Sequence, residues 1–310
     1  MKKIFATIAS FALALGIVNA QDLAEITEIY NSGAAAITAG DKEGALKSFE
    51  QALSLATALG ADGEEIAQNC KNVIPDLNLS IAKGLVNSSN YPAAIERIKT
   101  TIEIAQKFAN EDVLAEAKNL LPKIIMQNAG SLLNAKDYAG AASAYKEVLS
   151  SDPTNGLAAL RLGLALNGAG DIAGAKEALT LAAENGQQTS AFKQLSNICL
   201  KEAASALKAK DFAGAVAAAV SVNQYGENAQ AYQIAGQASQ QLGKDADAIS
   251  YFEKYLELSP KAKNAAQIAF TVGALYQKAK NNAKAVEYFQ MAVNDPALGA
   301  QAKKLIDALK

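Results

Sequence analysis

The sequence predicts an all-α fold, an array of helix-turn-helix units, and three observations carry that expectation. A five-residue phrase recurs: an acid, a variable residue, two small or polar residues, then alanine. It reads Asp41-Lys42-Glu43-Gly44-Ala45, Asp137-Tyr138-Ala139-Gly140-Ala141, Asp171-Ile172-Ala173-Gly174-Ala175 and Asp211-Phe212-Ala213-Gly214-Ala215. The second and third copies lie 34 residues apart, and a fixed period of that size marks stacked helical hairpins. Each phrase is flanked by helical stretches, with a large apolar residue frequently four places after the alanine.

Around Ala45 stand Gly33, Gly40 and Phe49; around Ala248 stand Gly236, Gly243, Phe252 and Pro260; around Ala285 stand Gly273 and Phe289. With these residues the chain resembles the tetratricopeptide repeat, which carries a small residue at its eighth position, alanine at its twentieth and an aromatic at its twenty-fourth. The resemblance implies a right-handed α-solenoid of about seven units, anchored by Ala45, Ala94, Ala141, Ala175, Ala215, Ala248 and Ala285. The units run roughly 26–59, 75–108, 122–155, 156–189, 196–228, 229–262 and 266–296, with a capping helix over 297–310. The eighth position is glycine or alanine throughout. The aromatic slot holds Phe49, Tyr145, Phe252 and Phe289, but Ile98, Leu179 and Ala219 elsewhere.

Taken in order, the anchors are 49, 47, 34, 40, 33 and 37 residues apart. The two long intervals predict lengthened first helices or a short extra helix in the N-terminal half, and compact units in the C-terminal half. Both contain a proline, Pro75 and Pro122, which removes a backbone donor and clashes with the preceding turn, so each helix is expected to kink or restart there. Asp62 and Glu65 read as a capping pair at the start of the inserted segment. Leu298 to Leu309 reads as the closing helix, with Lys303 and Lys304 on its polar side. No linker interrupts residues 21–310, so one elongated repeat domain is expected.

The first twenty residues read as a cleaved secretory signal: Lys2 and Lys3, an apolar run from Ile4 to Val18, and Val18-Asn19-Ala20 as the cleavage site. Cleavage after Ala20 leaves Gln21, where a lipoprotein would need cysteine. The expected address is therefore an exported compartment, the periplasm most simply, with no membrane insertion after cleavage. Without Lys2 and Lys3 there are 27 basic and 31 acidic residues, scattered along the chain. No basic face is available to neutralise phosphates, which argues against nucleic acid. Cys70 and Cys199 are expected as buried free thiols; the alternative is an intermolecular bridge through an exposed Cys70.

The chain has no histidine. Ser-His-Asp and Cys-His sites are excluded with it, as is any metal site built on imidazole. The stretch from Gly236 to Gly243-Lys244 has too many residues between its glycines for a phosphate loop. No catalytic, cofactor or metal residue is therefore assigned.

The resemblance also implies a concave groove lined by the first helices. Carried over, its fifth position gives Tyr30, Leu79, Met126, Leu160, Leu200, Gln233 and Phe270. Leu157 and Leu164 join that face in the fourth unit, and Gln230, Gln237, Gln240, Gln241 and Gln277 make it amide-rich further on. Primary amides both donate and accept, and so suit peptide backbone. The family's carboxylate clamp needs Lys, Arg and Asn at such positions, most of which are missing. The expected function is a non-catalytic scaffold of the cell envelope that holds a protein or peptide in this groove. The alternative is a self-associating component of an envelope assembly, such as outer-membrane biogenesis or secretion machinery.

Overall fold

The computed structural model describes residues 20–309; the predicted signal lies outside them apart from its last residue, Ala20. All regular structure among the described residues is helical. The chain falls into two compact units, one ending at Ala169 and one beginning at Gly170. That boundary divides the fourth expected repeat. In a repeat array each element packs on its sequence neighbours, so compact groupings can form without a linker between them.

The first unit contains α1 (Ala20–Ala39), α2 (Lys42–Ala58), α3 (Glu64–Asn87), α4 (Tyr91–Lys107), α5 (Glu111–Asn134), α6 (Tyr138–Ser151) and α7 (Gly156–Ala169). The second contains α8 (Ile172–Ala182), α9 (Gln188–Lys208), α10 (Phe212–Val222), α11 (Ala229–Gln241), α12 (Asp245–Leu258), α13 (Ala265–Lys278), α14 (Asn282–Ala292) and α15 (Gly299–Leu309).

The recurring phrase is the start of a second helix. In all four copies the aspartate carboxylate accepts a hydrogen bond from the glycine N–H three residues on, at 2.9 Å. This satisfies one of the donors that a helix N-terminus leaves free. A Cβ on Gly44 would stand 2.2 Å from the other carboxylate oxygen, and one on Gly140 2.5 Å. The glycine therefore gives the cap its room. Just before the cap position of the second helix in each unit sits a residue with positive φ: Gly40, Ser89, Lys136, Gly170, Lys210, Gly243 and Lys280. Its turn closes the preceding helix, as where Asp41 N–H donates to the Ala36 carbonyl at 2.9 Å.

The anchor alanines are all fully buried. The eighth position explains itself through the ring opposite. A Cβ on Gly33 would meet Phe49 at 3.1 Å, on Gly236 would meet Phe252 at 2.6 Å, and on Gly273 would meet Phe289 at 2.7 Å. Those rings are essentially inaccessible to solvent. The core is thus a series of local clusters, one around α1–α3 and another around α3–α5 in the first unit, with others around α9–α11, α12–α13 and α14–α15 in the second.

Several expectations need correction. Pro75 and Pro122 do not restart their helices: α3 and α5 each run unbroken for 24 residues. Proline costs its own donor and crowds the preceding turn, yet Pro75 is buried within the packed stretch and its helix continues. Asp62 and Glu65 form no capping box. α3 begins after a short 3₁₀ turn, Gly60–Gly63, with Gly63 at the cap and no side-chain hydrogen bond there. Gly63 instead lies so close to α2 that a Cβ would stand 2.1 Å from the Ala56 carbonyl oxygen. Long first helices are also not confined to the N-terminal half, because α9 has 21 residues. Cys70 is fully buried, which removes the exposed-bridge alternative; Cys199 is buried as well.

Candidate functional site

In the first unit a cleft of about 500 Å³ opens between α5 and α7 beside the turn joining α3 to α4. α5 supplies Met126, Gly130 and Asn134 at four-residue intervals, one face of a helix, with Gln127 and Ser131 beside them. α7 supplies Leu157 and Arg161, again one turn apart; the turn supplies Ser89, and the first residue of α4 is Tyr91. Leu157 is 43% exposed, a large apolar side chain left to solvent. None of the lining residues is acidic.

The polar end of the cleft gathers at Gly130. A Cβ there would be 3.5 Å from the Arg161 guanidinium and 3.9 Å from the Tyr145 hydroxyl, with nothing nearer. Tyr145, on α6, is 0% exposed, and its hydroxyl has no hydrogen-bond partner in the structure. The chain has two arginines. Arg97 donates to the Asn78 side-chain amide oxygen at 3.2 Å and to both oxygens of Glu43 at 2.9 and 3.1 Å. Arg161 forms no ion pair or hydrogen bond among the described residues.

Two of the expected groove residues, Met126 and Leu157, line this cleft. Leu160 and Leu164 are half-buried on the same helix but are not part of its wall. Leu79 and Tyr30 need correction: each is only 3% exposed. α3 is buried on two faces, with Leu77 and Ile81 in the α1–α3 cluster and Leu79 in the α3–α5 cluster. Leu79 is therefore core. In the second unit Gln230, Gln240 and Gln241 are exposed on α11, while Gln233 and Gln237 are half-buried. On α13, Gln277 is half-buried and Phe270 packs against Phe289 with ring centroids 5.2 Å apart.

Sequence reasoning missed Arg161, Tyr145 and Gly130. Arg161 was legible as the one charge between Asp152 and Asp171, one turn from Leu157. Gly130 directly follows Ala129, the eighth position of the third unit. Tyr145 was read only as the aromatic of its repeat, and nothing in the sequence shows that its hydroxyl goes unpartnered.

A second cleft, of about 530 Å³, lies in the second unit between the first turns of α9 and the segment Tyr225 to Asn228. Phe192 and Tyr225 pack there with centroids 5.4 Å apart. It contains none of the expected residues.

Neither thiol is poised for chemistry. Burial pushes Cys70 up to about 12. Cys199 is also raised, by burial first, against the opposing pull of Lys176. Among the described residues no group of three or more His, Cys, Asp or Glu is placed to hold a metal ion. No described helix is long and apolar enough to cross a membrane.

Capped helical hairpins, small residues against rings and a recurrent αL turn define a repeat protein of the helix-turn-helix class. Two models of the tetratricopeptide repeat match the sequence, over residues 132–197 and 229–261, so these two segments carry tetratricopeptide repeats. A comparison with curated proteins finds no match. Among solved structures it is similar to a MamA protein at 23% identity, with a TM-score of 0.36, over 58% of this chain and 94% of that one. PilF of Pseudomonas aeruginosa matches at 19% identity and a TM-score of 0.31, over 61% and 82%. The TPR2AB domain of yeast Sti1 in its complex with pHSP90 matches at 15% identity and 0.35, over 92% and 98%.

Proposed function

We propose that this protein is a non-catalytic scaffold of the cell envelope that holds a peptide or protein segment in the cleft between α5 and α7. The observation that carries this reading is the cleft itself, with an apolar end open to solvent and an unpaired guanidinium at the other. Its volume of about 500 Å³ falls in the range of ligand sites, ~300–1,000 Å³. No nucleophile–base pair accompanies it, and tetratricopeptide repeats are characteristically interaction modules.

The envelope address rests on the signal-like residues 1–20. N-terminal sequencing of the exported chain is expected to begin at Gln21; a retained Met1 would overturn export by cleavage.

A photo-crosslinking amino acid at Leu157, activated in the native envelope, tests the scaffold. One dominant envelope protein is expected, lost when Leu157→Lys is introduced together with a crosslinker at Met126. Recovery of this chain alone would replace the reading with self-association. A partner captured equally well in the Leu157→Lys background would move the binding face elsewhere.

A further inference from the structure

The polar end of the cleft contains an oddity that the fold does not need. Gly130 lies in the interior of α5 with helical φ, and no neighbour comes within 3.5 Å of its missing Cβ. It therefore differs from Gly33, Gly236 and Gly273, where a ring packs into the space a Cβ would take. It differs also from the turn glycines, whose positive φ forbids one. A glycine at such a place destabilises a helix relative to alanine. What it leaves is a notch, open to the cleft, with the Arg161 guanidinium in its wall and the Tyr145 hydroxyl buried beneath it, outside the wall itself. Neither group has a hydrogen-bond partner among the described residues.

We infer that the Gly130 notch is a subsite for a single side-chain carboxylate of the bound segment, an Asp or Glu set one helical turn from an aliphatic residue. This rests on the scaffold reading. The charge fits: one cation, no acid in the wall, and neutral donors in Ser131 and Asn134. The spacing fits as well. Met126 and Gly130 on α5, and Leu157 and Arg161 on α7, each set an apolar contact one turn, ~5.4 Å, from the polar one. The occupant must repeat that interval, apolar residue against Met126 and Leu157, acid against Arg161. Guanidinium and carboxylate then form a charge-assisted pair, and the absent Cβ lets the acid approach close enough to engage it.

The test uses the mature chain and a randomised library of short peptides with both ends blocked, so that no terminal carboxylate is present. Retained peptides are expected to carry an Asp or Glu one turn from an aliphatic residue. Exchanging that acid for its amide is expected to weaken binding by roughly tenfold or more, as for a lost charge-assisted hydrogen bond. In the Arg161→Gln protein the same exchange should make no difference. Gly130→Leu should block binding while leaving the helical signal intact. Tyr145→Phe should weaken binding a few-fold yet raise the melting temperature, because it removes a buried hydroxyl that has no partner in the free protein. A purely structural role would not give that opposition.

Peptides retained without any preference for an acid would overturn this inference and leave the scaffold standing. So would an acid preference that persists in Arg161→Gln, or binding that appears only when the peptide C-terminus is unblocked. A library from which nothing is retained would overturn both.

Discussion

The pair α11–α12 and the pair α5–α6 solve the same packing problem in opposite ways. In α11–α12 the first helix is 13 residues long and gives way completely: Gly236 carries no side chain, and the Phe252 ring fills its place. In α5–α6 the first helix is 24 residues long, the eighth position is Ala129, and the facing aromatic is Tyr145. Glycine appears one residue later, at Gly130, where no ring presses on it. The first arrangement interlocks two helices. The second leaves open space at the surface with a hydroxyl beneath it. Within one family of hairpins, the position of a single glycine thus separates a packing contact from a cleft.

Phe252→Ala would break the interlock outright. Deleting a fully buried ring is expected to cost about 3–5 kcal/mol, read as a lowered urea midpoint. Hydrogen exchange should quicken first in α11–α13, since repeat units draw stability from their neighbours. An equal loss of protection throughout the chain would show a more cooperative array than these local clusters suggest.

Adding one methyl group sharpens the comparison. Gly236→Ala places a Cβ 2.6 Å from the Phe252 ring and is expected to cost roughly 1–3 kcal/mol. Gly130→Ala meets nothing closer than 3.5 Å and is expected to stabilise by up to about 1 kcal/mol. Opposite signs in denaturant unfolding would confirm the distinction; equal costs would abolish it.

The caps offer a smaller effect. Asp137→Ala removes the acceptor from the Gly140 N–H and is expected to cost about 1 kcal/mol. At the turns, Lys136, Lys210 and Lys280 hold positive φ without being glycine. Each change to glycine is expected to raise stability by about 1 kcal/mol or less, checked by thermal unfolding.

The C-terminal hairpin adds a pH dependence of its own. Tyr276 and Tyr288 both donate to one oxygen of Glu253, at 2.7 and 2.8 Å. Burial first, and then that carboxylate, push Tyr276 up to about 12 and raise Tyr288 further still. Both values lie above the ordinary phenol value of 10.0. The folded state therefore keeps protons that the unfolded chain gives up. Their contribution to stability is whole below about pH 10 and is lost as pH rises through about 12. The melting temperature should fall across that window, and less steeply in the Tyr276→Phe, Tyr288→Phe double variant.

The sequence by itself determined the helical hairpins, because their causes are local. An aspartate that can cap, a glycine that makes room for it, and an alanine three and four residues from apolar partners can all be read from spacing. Tertiary structure decided whether a proline would break a helix. Pro75 and Pro122 are the same residue type that ends helices elsewhere, yet α3 and α5 run through them. Packing on neighbouring helices outweighs one missing donor. Tertiary structure also decided which leucine is surface and which is core. Leu79 and Leu157 both follow helical spacing, but α3 is covered on two sides, and Leu157 stands at the open end of a cleft. Nor can spacing show that Arg161 and the Tyr145 hydroxyl converge on Gly130. Their approach depends on how three helices pack, whereas periodicity describes one helix at a time.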